Sequence, residues 1–157
     1  MAEELPPFQK TFQAISAMLQ ASVGHTLFTV SRRLPDGRQV ERIYTSMPLE
    51  YPVGGRKPAD DSSDWHATMA AGQVFVASQP SDFGAHFHDL DAIVALGFGA
   101  VINIPVHQGE RLLGSLNLLD KKGAYRGEVQ GPCDAVRALA LQGFIEYEWQ
   151  APAAMRT

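Results

Sequence analysis

The sequence predicts an α+β fold in a single domain: an antiparallel sheet of about five strands, with helices at both ends of the chain. Three observations carry this. Gly97 to Asp120 reads GFGAVINIPVHQGERLLGSLNLLD, two apolar runs about a polar turn, His107-Gln108-Gly109-Glu110. Thr26 to Thr45 holds a second strand–turn–strand pattern, and apolar residues at helical spacing occupy both ends.

Taken in order, Phe8, Phe12, Ile15 and Leu19 recur at intervals of three and four, one stripe of an amphipathic helix entered after Pro6-Pro7 and stopped at Gly24. Thr26 to Arg33 favours a strand, Leu34-Pro35-Asp36-Gly37 a turn, and Arg38 to Thr45 a second strand. Met47 to Asp61 carries Pro48, Pro52, Gly54, Gly55 and Pro58, breakers that predict a long loop without regular structure. Asp61-Ser62-Ser63 offers an N-cap for a helix through Trp65, Met69 and Ala70, ending at Gly72. Val74-Phe75-Val76 reads as a short strand, Ser78 to Ala85 as a loop, and Phe87 to Leu96 as a helix closed by Gly97. After the Gly97–Asp120 hairpin and a polar turn, a last helix is predicted from about Pro132 to near Gln150. It carries two stripes, Val136, Leu139, Ala140 and Leu141, Ile145, Trp149, and therefore needs two neighbours. The core falls within about residues 8–149 of the single domain 1–157.

Composition narrows the function. In 157 residues, 45% hydrophobic and 19% charged, a net charge of -4 without a basic cluster argues against a nucleic-acid partner. No stretch approaches the roughly 20 apolar residues that span a bilayer, and the start, MAEELPPFQK, is acidic and proline-bearing, unlike a secretory signal. A cytoplasmic location is expected. Cys133 is the only cysteine, which excludes an intramolecular disulfide, and it reads as a small apolar filler on the final helix.

The order helix, two strands, long loop, helix, strand, helix, two strands, helix, together with the strings GQVFVAS, ALGFGAVINIPV and ERLLGSLNLLD, resembles the GAF domain family over residues 8–149. None of these strings is a catalytic signature. The resemblance implies terminal helices on one face of the sheet and a ligand pocket on the other, roofed by Met47–Gly72 and Ser78–Leu96. It implies a small-molecule ligand and a signalling role. Bilin-binding members need a cysteine near the pocket, whereas Cys133 stands in the last helix. Members that reduce free methionine sulfoxide need several cysteines, and the cyclic-nucleotide pattern is absent. The likeness is to small, stand-alone bacterial GAF proteins, in which output passes through a partner or is the pocket's own chemistry.

Candidate site residues follow from polar and aromatic density on the roof segments. Trp65-His66 sets an aromatic plate beside an imidazole, against the alternative of Trp65 as a core anchor. In the long loop Tyr51 and Arg56 accompany Gly54-Gly55, and Arg56 could pair with a carboxylate or phosphate. Tyr44 and Ser46 end the second strand, where a side chain can look over the sheet. His86-Phe87-His88-Asp89-Leu90-Asp91 is the densest polar run. A metal would need a third ligand, such as His66, His25 or Asp82, so a helical first turn whose carboxylates complement the macrodipole is preferred and no metal is expected. Pocket lining by Asp89 is retained. His25 reads as a junction residue. Asn103 and Asn117 interrupt apolar strands and need partners. If Val106 pairs with Arg111, Ala100 lies opposite Asn117 and Asn103 points to the other face, so only one amide faces the pocket unless a bulge shifts the register. Asn117 is preferred, with Asn103 as the alternative.

Three readings remain open, the blandest of them a subunit whose pocket is vestigial and whose terminal helices dock another protein. The first is a sensor for a small polar metabolite, dimeric through its terminal helices, with no cofactor required. The second is an enzyme in which His66, His86 or His88 acts as general base with Asp82 or Asp89 as its partner.

Overall fold

The computed structural model describes residues 4–59, 64–79, 81 and 94–150. They form an antiparallel sheet of six strands: β1 (Leu27–Arg33), β2 (Gln39–Thr45), β3 (Arg56–Pro58), β4 (Phe75–Ala77), β5 (Ala100–Gln108) and β6 (Arg111–Asp120). The order across the sheet is β3-β2-β1-β6-β5-β4. Among the described residues four helices accompany it: α1 (Pro7–Ser22), α2 (Asp64–Ala70), α3 (Gln130–Ala135) and α4 (Arg137–Gln150). Among the described residues no helix is long and apolar enough to cross a membrane.

The apolar stripe of α1 is the expected one, with Phe8, Phe12, Ile15 and Leu19 all buried. These side chains meet Phe28, Val30, Ile102, Ile104, Leu116 and Leu118 from the sheet and Phe144 from α4 in one core. Phe12 is fully buried, and its ring meets that of Phe144 edge to face at 5.7 Å. A Cβ on Gly143 would come within 2.7 Å of the Phe12 ring, so the bare backbone there is what lets α1 and α4 close together. Gly114 plays the same part inside the sheet: a Cβ would stand 2.0 Å from the carbonyl oxygen of Ser31 on the neighbouring strand.

The structure corrects three expectations. The sheet has a sixth strand because Arg56–Pro58 pairs with Gln39–Glu41, inside the stretch expected to be loop. Gly54, at φ +88°, turns the chain back, and its N–H donates to the Arg42 carbonyl at 2.8 Å. A strand this short at a sheet edge tolerates Pro58. The last helix is two helices rather than one. At Val136 the backbone relaxes to φ -99°, ψ -4°, its N–H bonding back to Cys133 and Asp134, and α4 then restarts with the Ala140 N–H on the Val136 carbonyl at 2.9 Å. The innermost residues of α4 are Ala140, Gly143 and Phe144, while Trp149 is 73% exposed.

The third correction is the register of the β5–β6 hairpin. Gln108 pairs with Arg111 and His107 with Leu112, but Val106 pairs with Gly114, so Leu113 is an extra residue on β6. Beyond this bulge Asn103 lies directly opposite Asn117, and the two amides share one face.

Candidate functional site

Strand alternation separates the two faces of the sheet. Phe28, Val30, Ile102, Ile104, Leu116 and Leu118 face α1 and α4. The alternate positions hold Thr29 and Ser31 on β1, Ser115 and Asn117 on β6, and Asn103 on β5, which the pairing Ser31↔Ser115, Thr29↔Asn117 and Asn103↔Asn117 sets side by side. Thr29, Asn103, Ser115 and Asn117 are all buried. At one end of this face the residues turn apolar, with Leu27, Val101 and Leu119 packed on Ala77 and Phe98 and flanked by Met47, Tyr51 and Phe75. The helix α2 lies over this face and buries Met69.

The polar residues form one directed hydrogen-bond chain. Trp65 Nε1 donates to Asn103 Oδ1 at 2.9 Å. An indole N–H can only donate, so it fixes the orientation of the Asn103 amide. Asn103 Nδ2 then donates to Asn117 Oδ1 at 2.8 Å, which also accepts from the Ser115 hydroxyl at 2.8 Å. Asn117 Nδ2 in turn donates to the hydroxyls of Thr29 at 3.1 Å and Ser31 at 3.2 Å. The direction therefore runs from the helix across three strands to two hydroxyls that act as acceptors, each keeping an O–H to donate. Chains of this kind polarise each member and hold a rigid geometry when every group is satisfied.

Of the residues singled out from the sequence, this arrangement brings together Trp65, Asn103 and Asn117. His66 follows Trp65 on α2 and is half-buried. Tyr51 lies near the apolar end, with the Arg42 guanidinium 3.6 Å over its ring and Arg42 Nη1 donating to the Pro52 carbonyl at 2.6 Å. Tyr44 and Arg56 stand elsewhere. The Tyr44 ring is wedged between Phe12 and Phe28 on the terminal-helix face, at 6.0 Å and 5.9 Å, and burial raises its pKa. Arg56 Nε pairs with Glu41 at 2.6 Å, and the other oxygen of Glu41 accepts from the Tyr147 hydroxyl of α4 at 3.4 Å. Tyr44 pairs with Val30 beyond a bulge between Val30 and Ser31, and Arg56 pairs with Glu41, which itself lies opposite Arg32. Ser46 serves the backbone: its hydroxyl accepts from the Phe28 N–H at 2.9 Å. His25 closes α1, its Nε2 donating to the Ser16 carbonyl at 3.0 Å. Asp82, His86, His88 and Asp89, with most of the expected Phe87–Leu96 helix, lie outside the described residues.

Thr29 and Ser31 belong to the network with Ser115 and were not singled out from the sequence. Their signal is alternation: small polar residues at every second position of LFTVS and LGSLNL. Among the described residues no group of three or more His, Cys, Asp or Glu side chains could hold a metal ion. Cys133 is buried beneath the terminal-helix face, and burial pushes its thiol up to about 11.

No family model matches the chain, and no curated protein matches it. Solved structures do. A domain of a putative two-component sensor histidine kinase from Sinorhizobium meliloti superposes with a TM-score of 0.63 at 15% identity, covering 98% of this chain and 100% of that one. The GAF domain of a two-component sensor histidine kinase from Bacillus halodurans gives 0.68 at 13%, covering 92% and 95%. A red/green cyanobacteriochrome in its red-light-absorbing state gives 0.64 at 18%, covering 92% and 99%. At these identities the likeness is one of fold.

Proposed function

From the premise that this chain has the GAF fold, we propose that it is a sensory module that binds a small polar molecule between α2 and the polar face of the sheet. The observation that carries this reading is the row of buried Thr29, Ser115, Asn117 and Asn103 with half-buried Ser31 at its end, tied to Trp65. A sheet face that served packing alone would be apolar, as the run Phe28, Val30, Ile102, Ile104, Leu116 and Leu118 is on the other side. The hydroxyls of Thr29 and Ser31 suit a ligand acceptor such as a carbonyl, a carboxylate or a ring nitrogen. The apolar end formed by Leu27, Val101 and Leu119 suits its less polar part. Trp65, Asn103, Asn117 and Tyr51 remain from the sequence expectation as ligand contacts, with Thr29 and Ser31 added and Tyr44 and Arg56 withdrawn. Output would pass through the terminal helices, on which Met18 and Trp149 are exposed, to a second copy of the chain.

Native mass spectrometry of freshly purified protein, followed by thermal shift against small polar compounds, tests the reading. A bound ligand is expected whose stabilisation disappears in Thr29→Val and Trp65→Leu. Stabilisation that survives both substitutions would place the ligand elsewhere. Sedimentation that returns a monomer at every concentration would remove the dimeric output.

A further inference from the structure

A second concavity lies on the opposite side of the sheet, where the ends of β1 and the β5–β6 hairpin meet the last turns of α4. Its lining includes Arg32, Arg33, Arg111, Gln108, Tyr147 and Glu148, three guanidinium groups against one carboxylate. Arg32 is the informative member. It is only 4% exposed, and its Nε and Nη2 are buried without a hydrogen-bond partner. Its guanidinium lies 5.1 Å over the ring of Tyr147. The carboxylate beside it in the sheet, Glu41, is engaged by Arg56 and by the Tyr147 hydroxyl instead. A buried cation whose N–H groups meet no acceptor is costly unless something supplies the missing oxygen.

We propose that this cleft is a binding site for a small oxyanion, the phosphate or carboxylate group of a diffusible molecule, with Arg32 at its floor. The space within the cleft is about 20 Å³, room for one water-sized group. One oxygen of the anion therefore enters and the rest stays at the mouth, where Arg111 is exposed on the hairpin. A guanidinium fork suits such an oxyanion because it offers parallel donors. The Tyr147 ring lies over one side of the fork, and Glu148 stands in the same lining, where its charge opposes an anion. This site lies across the sheet from the polar row under α2, so occupancy of one is separable from occupancy of the other.

The test is a titration of the ¹⁵N-labelled protein with sodium phosphate and, separately, with sodium acetate, following the arginine Nε–H resonances at constant ionic strength set with sodium chloride. Saturable shifts of the Arg32 resonance are expected, and the tighter of the two anions identifies the group. Arg111→Ala alters only an exposed hairpin side chain and is expected to weaken binding about threefold to fivefold. Glu148→Gln removes the opposing carboxylate and is expected to tighten it by a similar factor. Arg32→Gln is expected to abolish saturation as read from the Arg33 and Arg111 resonances. Shifts that sodium chloride alone reproduces, or affinities unmoved by both Arg111→Ala and Glu148→Gln, overturn the proposal.

Discussion

On β6, Leu116 and Leu118 face the terminal helices, while Ser115 and Asn117, one residue away on the same strand, face α2. The contrast runs through β1 and β5 as well: Phe28 and Val30 against Thr29 and Ser31, Ile102 and Ile104 against Asn103. The first face is a close-packed apolar core in which rings meet edge to face and Gly143 stands where no side chain fits. The second is held by hydrogen bonds that run in one direction from an indole to two hydroxyls. The same strands therefore fold the protein with one set of residues and present chemistry with the other. A change on either face should register differently in stability and in binding.

The sharpest way to break this division is to weaken each face in turn. Phe12→Ala removes a fully buried ring from the helix-side core and is expected to cost about 3–5 kcal/mol. Urea denaturation checks the cost, and binding measured well below the transition should be unchanged. Asn117→Ala acts from the other side. It strands the Asn103 amide and the Ser115 hydroxyl, both buried, and is expected to cost about 2–3 kcal/mol together with loss of ligand-induced stabilisation. If Asn117→Ala proves as neutral as a surface change, the polar row does not hold this face, and the comparison fails.

A pH series sharpens the division from the apolar side. Burial raises the Cys133 thiol from 9.0 to about 11. A folded state that holds a proton the unfolded chain has released loses stability as pH rises. This contribution is therefore complete below pH 9 and is lost as pH climbs towards about 11. The full loss is about 2–3 kcal/mol. The difference between the wild-type chain and Cys133→Ala, followed by denaturation across that window, isolates it from other alkaline titrations. The same burial predicts that Cys133 resists alkylation until the chain unfolds.

The helix-side face was legible in the sequence because periodicity is a property of the local chain. The α1 stripe needs no partner to be recognised, and the alternation of LGSLNL marks a strand wherever it pairs. What alternation leaves open is register across strands. The expected pairing is off by three residues. A tighter turn, which pairs Gln108 with Arg111, accounts for two and keeps each side chain on its face. The extra residue Leu113 accounts for the third and brings Asn103 onto the face of Asn117, to which it bonds. The bulge in the β1–β2 pairing likewise sets Tyr44 opposite Val30. Near a sheet edge the apolar pattern that would announce a face is weak: β2 has only Ile43 among its buried apolar residues. The strand Arg56–Pro58 was hidden for a related reason, since glycine and proline signal a break whether or not the chain turns back to pair. Trp65 was read as either ligand plate or core anchor. The structure makes it the first donor of the network, a role set by Asn103 on a distant strand.

The smallest expected effect tests the link between that helix and the sheet. Trp65→Phe keeps an aromatic ring over the sheet and removes the Nε1 donor, so it leaves Asn103 Oδ1 buried without the bond that orients it. The expected cost is about 1 kcal/mol, the net worth of one neutral hydrogen bond. Size alone does not make this change diagnostic, because any loosening of α2 could produce it. Direction does. With the indole gone, only the bond to Asn117 Oδ1 still orients the Asn103 amide, and a flip would confront the Asn117 carbonyl oxygen with its own. The side-chain NH₂ resonances of both asparagines should therefore move, Asn117 included, although it does not bond to Trp65. Resonances of Asn117 that stay in place would mean that the polar face is a set of independent pairs. The contrast with the cooperative core behind the sheet would then rest on polarity alone.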